Sequence, residues 1–119
     1  MHPTVCLSLN LKEYRSGVST GIPVGLGNDV GCPFVVHYNY WRELCYFHKY
    51  VGASNRDTLY TATLGNAKIV GIDAETGSIE KGKSADMIVV SGDPLQDLSV
   101  LRNVSAVMIR GRLIKDPKM

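Results

Sequence analysis

The spacing of apolar residues changes along the chain, and the first clear pattern is a short uninterrupted run. Residues 22–26 read Ile-Pro-Val-Gly-Leu and stand between Gly21 and Gly27. A strand that is buried on both faces, as in a parallel barrel, shows such a run without alternation. Asp29 follows where this predicted strand ends, and barrels carry their chemistry at the carboxyl ends of strands. On position alone, a single Asp there is more often a turn former or a helix cap, so the rest of the chain must decide its role.

Two helices are predicted next, because apolar residues recur at the helical period. The first covers 38–50, ends at Gly52 and carries apolar groups around more than half of its circumference, so we expect it to be largely buried. The second starts at a capping box with Ser54 or Asn55 as the cap, and it runs to about Val70. The predicted packing face of the second helix comprises Leu59, Ala62, Thr63, Ala67 and Val70.

The pattern changes again after residue 71, where short apolar segments alternate with turn residues. We therefore place a boundary near residue 72, with α/β character in 1–71 and mostly β structure in 72–119. Arg110 and Gly111 are predicted to form a two-residue hairpin loop. The predicted strands are 79–82, 85–90, 106–109 and 112–114, with a turn at 91–94 and a short helix at 95–101.

The composition is that of an ordinary globular domain, and it argues against several classes of function. The chain has 119 residues, of which 45% are hydrophobic and 20% charged, with a net charge of +2. The basic residues are scattered, which argues against a nucleic-acid or membrane surface, and no apolar run is long enough to cross a bilayer. We expect no secretory signal. Cys6, Cys32 and Cys45 lack a C-x-x-C pair, which predicts free thiols and a cytoplasmic protein.

One segment matches a nucleotide-binding motif. Residues 77–84 satisfy the phosphate-loop pattern G-x-x-x-x-G-K-[ST]. That chemistry needs a strand before the loop and a helix after it, so that the helix N-terminus faces the phosphates. Here the residues at 71–76 are typical of turns, and the β-branched run at 87–90 predicts a strand downstream. We therefore predict a lysine-flanked turn and no nucleotide-binding residues.

Four segments in the same order resemble the C-terminal part of an amidohydrolase-superfamily enzyme, of the imidazolonepropionase-like or Xaa-Pro dipeptidase-like branch of metal-dependent hydrolases. The resemblance covers roughly residue 20 to the end, and it implies an α/β fold. Residues 1–71 would supply the last strand or strands and helices of a metal-dependent (β/α)8 barrel. Residues 72–119 would form the C-terminal part of a small β-sandwich. The matching segments are 21–29, 59–72, 77–90 with 93–95, and 107–114.

The resemblance implies that Asp29 is the last metal-site carboxylate and moves the proton of the attacking water. A divalent metal, for which zinc is the expectation, would lower the pKa of that water in the full-length enzyme. His37, on the loop after the predicted strand, is a candidate for substrate binding. His48 is predicted to be a core or helix-surface residue, and His2 lies too near the terminus to assign. The family's His-x-His pair, its bridging residue and two further histidines have no counterpart here, and one Asp cannot hold zinc.

Three functions stay open. The chain is the C-terminal part of a metal-dependent hydrolase that cleaves C–N bonds of small cyclic amides or dipeptides, or it is a truncated, non-catalytic chain that binds no metal. A nucleotide-binding function rests only on 77–84. Since a (β/α)8 barrel needs about 250 residues, we expect exposed apolar faces and strand edges. Self-association or pairing with missing segments would cover them.

Overall fold

The computed structural model describes residues 20–27 and 39–115, which form two helical segments and a three-stranded sheet. Each helical segment is a regular helix that widens into a π-helical turn. In chain order the elements are α1 (Trp41–Tyr46), a first π turn (Phe47–Val51), α2 (Asn55–Tyr60), a second π turn (Thr61–Gly65), α3 (Asn66–Val70), β1 (Met87–Val90), a 3₁₀ helix (Leu98–Arg102), β2 (Val104–Ile109) and β3 (Arg112–Lys115). No helix within these two ranges is long and apolar enough to cross a membrane.

The ends of the helical segments follow the local chemistry that the sequence predicts. Gly52 and Gly71 end the two segments with φ values of 80° and 76°, in the left-handed region that glycine adopts without strain. Ser54 is the N-cap of α2, because its Oγ accepts the Asp57 N–H at 3.0 Å and donates to the Asp57 carboxylate at 2.7 Å. The predicted second helix is confirmed, and the first is confirmed from Trp41 onward.

The buried side of the second helical segment differs from the predicted face. Ala67 is buried, and Leu59 and Ala62 pack against the core. Thr63, however, is exposed, and Val70 is 66% exposed. Thr63 and Val70 both line an open groove between this segment and the sheet, which leaves them accessible to solvent.

The first helical segment is buried on one side only. Leu44 and Phe47 point into the core, whereas Tyr40 and Tyr50 are each 40% exposed. The prediction of a largely buried helix is therefore wrong for the described residues. Among them, α1 packs against the 3₁₀ helix, and its other side has no comparable neighbour. The core cluster consists of Leu26, Leu44, Phe47 and Leu98.

Residues 22–27 are extended but pair with no strand among the described residues. Leu26 is buried, yet Ile22 is 62% exposed. The predicted buried strand over 22–26 is thus wrong here, because burial on both faces requires neighbouring strands that the described part of the chain does not supply. An asparagine side chain binds the backbone of this segment instead.

The sheet is an antiparallel meander in the order β1-β2-β3. Arg110 and Gly111 form the predicted hairpin loop, with φ values of 49° and 75°. The predicted strand at 79–82 is wrong: these residues form a turn, in which Gly82 has a φ of 94° and the Lys83 N–H donates to the Glu80 carbonyl at 3.2 Å. The boundary near residue 72 stays a prediction.

Candidate functional site

The extended segment 22–27 is bound to the second helical segment by one side-chain amide. Asn66 Oδ1 accepts the Leu26 N–H at 2.8 Å, and Asn66 Nδ2 donates to the Leu26 carbonyl at 2.8 Å. The amide thus makes the two hydrogen bonds that a residue of a neighbouring strand would make in a ladder. Asn66 therefore fixes the backbone a few residues before Asp29.

Gly25 allows the helix to come this close. A Cβ atom at this position would lie 2.6 Å from Asn66 Oδ1 and 3.2 Å from the Ile69 side chain. The first distance is shorter than any real Cβ contact, so either the amide or the extended segment would have to move. The absence of a side chain at Gly25 is a condition of the contact.

A wide open groove of about 1140 Å³ separates the extended segment and the second helical segment from the sheet. Most of its lining is apolar, and polar side chains come from Thr76, Ser78 and Asp86 among others. Such a lining suits a protein segment or an apolar ligand better than a charged one. The apolar lining includes Leu26, Ala62, Ile69, Ile72, Met87, Ile88, Val107 and Met108.

The Asp86 carboxylate in this groove is already occupied by hydrogen bonds. It accepts the Arg110 N–H at 2.7 Å and the Thr76 hydroxyl at 2.9 Å. The Arg110 N–H, the Thr76 hydroxyl and a contact with Ser84 hold the pKa of Asp86 below its usual range. A carboxylate with a lowered pKa is a weak proton acceptor near neutral pH. Asp86 therefore joins the β2–β3 hairpin loop to the turn before β1, and it is no candidate for a general base.

The turn at 77–84, which matches the phosphate-loop pattern, closes on itself. Lys83 Nζ donates to Ser78 Oγ at 2.6 Å and lies 3.7 Å from a carboxylate oxygen of Glu80. The Ser78 hydroxyl in turn donates to Glu80 at 2.7 Å. The chain then enters β1 rather than a helix. The lysine that would bind phosphate therefore makes its contacts within the turn, in agreement with the predicted lysine-flanked turn.

The residues proposed from the sequence for metal binding and for substrate binding fall in a part of the chain that the structure leaves undescribed. Asp29 and His37 both lie outside the described residues, so their roles stay predictions. Within 20–27 and 39–115, no three His, Cys, Asp or Glu residues come together in a group that could hold a metal. A catalytic zinc site needs about three protein ligands. The described residues alone therefore do not fit a metal site.

The other candidate side chains in the described region do not make a site. His48 was predicted to be a core or a helix-surface residue, and the structure places it on the helix surface. Its Nδ1 lies 2.7 Å from the Ala53 carbonyl. Cys45 is a free thiol whose pKa is raised by burial and by the nearby Asp97 carboxylate. A raised pKa keeps the thiol protonated and unreactive.

A family model described as "Amidohydrolase family" matches residues 5–114. The chain belongs to the amidohydrolase family. This confirms the resemblance drawn from the four segments. Members of this family are generally metal-dependent, and their fold is of the (β/α)8 barrel type. The described residues form a small α/β unit with a three-stranded sheet, which agrees with the predicted α/β class.

Individual solved structures and curated proteins are also similar to this chain. A candidate prolidase from Bifidobacterium longum is 41% identical with a TM-score of 0.85, and the match covers 90% of this chain and 26% of that one. A Xaa-Pro dipeptidase with bound methionine is 33% identical with a TM-score of 0.78, over 88% and 25% of the two chains. The imidazolonepropionase of Symbiobacterium thermophilum is 30% identical over 113 residues, 86% of this chain and 25% of the relative.

The chain thus spans about a quarter of the length of these relatives. They include hydrolases that act on C–N bonds.

The sequence analysis missed Asn66, although its residue type and position gave a signal. Asparagine is a poor residue for a helix interior, and Asn66 stands inside the predicted second helix beside the packing residue Ala67. A polar residue at such a position indicates a specific hydrogen-bond partner.

Proposed function

We propose that this chain is the C-terminal part of a metal-dependent amidohydrolase that hydrolyses C–N bonds in small cyclic amides or dipeptide-like substrates. Residues 1–71 would contribute the last strand and helices of the barrel, and 72–119 part of the β-sandwich. The observation that carries the proposal is the 41% identity to the candidate prolidase across 90% of this chain. In the sequence, Asp29 comes two positions after the segment 22–27 that Asn66 binds.

Asp29 would be one metal ligand and the acceptor of a proton from the attacking water. A bound divalent metal, which we propose to be zinc, makes water nucleophilic near neutral pH. The remaining ligands would have to come from outside the described residues, because 20–27 and 39–115 contain no ligand cluster. His37 would line the substrate pocket beside Asp29. The free thiol of Cys45 supports a cytoplasmic site of action.

A second function is favoured by the exposed sheet. Ile88 and Val89 of β1 are 52% and 55% exposed, so the sheet presents apolar side chains on both faces. A non-catalytic chain that folds by association with itself or with another subunit would cover them. Such a chain would bind no metal and would hydrolyse nothing.

Reconstitution separates the two functions. The 119-residue chain would be co-expressed with the upstream three quarters of the Bifidobacterium relative, and the purified complex tested for bound zinc and for hydrolysis of Xaa-Pro dipeptides. The relative's own last quarter is the positive control for reassembly. We expect a complex with zinc and activity, whereas the chain alone has neither.

Asp29→Asn should lower kcat of this complex by about 10²-fold or more, as loss of a group that transfers a proton does. Asp73→Asn, in the turn after α3, is the matched control and should leave kcat unchanged. A complex that forms but holds no zinc and cleaves no substrate, while the control complex is active, would contradict the enzymatic function in favour of the non-catalytic one.

A further inference from the structure

We infer that Asn66 is a positioning residue that sets the place of Asp29 through the backbone of Leu26, an inference that rests on the proposed function. The contact joins positions 40 residues apart. Both the N–H and the carbonyl of Leu26 bond to the same side chain, each at 2.8 Å. Two bonds from one planar amide fix both the distance and the orientation of the peptide units at Leu26.

The backbone N–H and carbonyl of Leu26 depend on this contact for their hydrogen bonds. Its side chain is in the core and the residue is only 8% exposed. A buried backbone N–H or carbonyl without a partner is costly, so these groups are almost always paired. Since 22–27 pairs with no strand of the described chain, the Asn66 amide takes the place of the missing ladder at this point.

Asn66 itself is held from two directions. It directly follows the second π turn, and it begins α3. The next residue, Ala67, lies against the turn at Gly77, where an added Cβ would be 2.7 Å from the Ala67 Cβ. The backbone of Gly25 lies close to the amide, because an added Cβ there would be 2.6 Å from Asn66 Oδ1. The Asn66 backbone is therefore placed by the packing of α3, and from there its side chain binds the extended segment.

The consequence falls on Asp29. Only two residues separate it from Leu26, so the Cα atoms of Leu26 and Asp29 can be at most about 11 Å apart. A misplacement of about 1 Å at a reacting group can reduce turnover about 10²-fold. Loss of the Asn66 contact should therefore lower kcat of the reconstituted enzyme while KM changes little, because the amide touches backbone and no substrate.

The contact is tested first in the 119-residue chain, without reference to activity. Hydrogen exchange of the Leu26 amide would be followed by NMR in the wild type, Asn66→Ala and Asn66→Asp. We expect exchange to accelerate about fivefold or more in Asn66→Ala, as loss of a typical hydrogen bond predicts. Asn66→Asp keeps an acceptor for the Leu26 N–H, so its effect on this amide should be smaller.

Asn55→Ala is the matched control. Asn55 Nδ2 also donates to a backbone carbonyl 40 residues away, that of Leu95 at 3.0 Å, but in an exposed position. This variant should leave Leu26 exchange unchanged. If the Asn66 variants fail to fold, Gly25→Ala tests the same contact from the other side, since it adds only a methyl group against the amide. Unchanged Leu26 exchange in a folded Asn66→Ala or Gly25→Ala variant overturns the contact.

The role in positioning is then read in the reconstituted complex. Asn66→Ala should reduce kcat by about 10- to 100-fold with KM within about twofold, and Asn55→Ala should retain normal kcat. Faster Leu26 exchange together with an unaffected kcat would overturn the positioning role. If the wild-type complex is inactive, the proposed function fails, and the positioning role fails with it, while the exchange data still decide whether Asn66 holds Leu26.

Discussion

The helical segments and the sheet bury their apolar side chains to very different extents. The buried apolar residues of the described ranges are Leu44, Phe47 and Ala67 in the helical segments, Leu26 in the extended segment beside them, and Leu98 on the 3₁₀ helix that packs against α1. The helical segments and the extended segment together are called the helical half below. No strand residue from Met87 to Ile114 is buried to that degree. At least half of the surface is exposed at Ile88, Val89, Ile109, Leu113 and Ile114.

This difference indicates that the two regions are stabilised in different ways. The helical half closes a core of its own from side chains, whereas the sheet is joined mainly by ladder hydrogen bonds and by the contacts of its hairpin loop with residues 85 and 86. A small sheet without a packed face is marginal in water, and a contiguous exposed apolar surface marks an interface. We therefore expect the sheet to gain most from whatever completes the fold.

Truncating one apolar side chain in each region should give the largest contrast. Phe47 is 5% exposed, so Phe47→Ala should lower the free energy of unfolding by about 3–5 kcal/mol. Ile88, which is half exposed, should lose less than about 1 kcal/mol on change to Ala, because little buried area is removed. Urea denaturation of the 119-residue chain measures both. Equal losses would mean that the sheet is covered in solution, for instance by self-association.

The turn that joins the two regions is tested by two glycines with the same backbone conformation. Gly77 and Gly82 both have a φ of 94°, but a Cβ would contact Ala67 at 2.7 Å only at Gly77. Gly82→Ala should cost about 1–2 kcal/mol from backbone strain alone, and Gly77→Ala about 1–3 kcal/mol more from steric overlap. The difference in urea midpoint measures how firmly the turn packs on the second helical segment. Similar losses would contradict that packing.

The helix cap offers a smaller effect confined to the helical half. Ser54→Ala removes the side-chain acceptor for the Asp57 N–H and should cost about 1 kcal/mol. Ser54→Gly should cost only a few tenths of a kcal/mol, since glycine tolerates the cap position well. Thermal unfolding by circular dichroism should rank wild type, Gly and Ala in that order. Loss of the ladder between β1 and β2 in either variant would show that the regions are coupled.

Acidification should remove a stabilising contribution of Asp86 near the sheet and a destabilising contribution of Glu43 in α1. The pKa of Asp86 is lowered, mainly by the Arg110 N–H, so its stabilisation is complete above the usual pKa of about 4 and is lost as pH falls through the folded value. The pKa of Glu43 in α1 is raised by burial, so its charged form destabilises the fold at neutral pH and acidification relieves this. At pH 7, Asp86→Asn should be less stable than wild type and Glu43→Gln more stable.

Both differences should shrink as the pH is lowered towards 3. Urea denaturation at several pH values follows them, and carboxyl NMR titration of Asp86 and Glu43 gives the two pKa directions directly. Differences of the same sign at neutral pH would contradict the assignment of one carboxylate to hydrogen bonding and the other to desolvation.

Features that depend on local chemistry could be predicted from the sequence. The caps at Ser54, Gly52 and Gly71 and the Arg110–Gly111 hairpin loop follow from the backbone conformations that those residues prefer. The π turns could not, because an i→i+5 hydrogen bond has no residue pattern of its own.

Features that depend on distant neighbours were harder to predict. The burial of residues 22–26 was misjudged because it requires strands beside them. The metal role of Asp29 came from the family resemblance, since position alone favoured a turn or cap. The role of Asn66 depends on a partner 40 residues away that no local pattern names.

The Asn66 contact also indicates where an enzyme of this family could be split into two separately expressed chains. A strand normally takes its alignment from the strands beside it, so a cut between strands leaves a loose end. Here the alignment of 22–27 is encoded in a helix downstream, and the two are always expressed together. An amidohydrolase cut just before this segment would yield a second piece that already carries the alignment of its first residues. That makes the position a rational break point for a two-part reporter enzyme whose activity depends on reassembly.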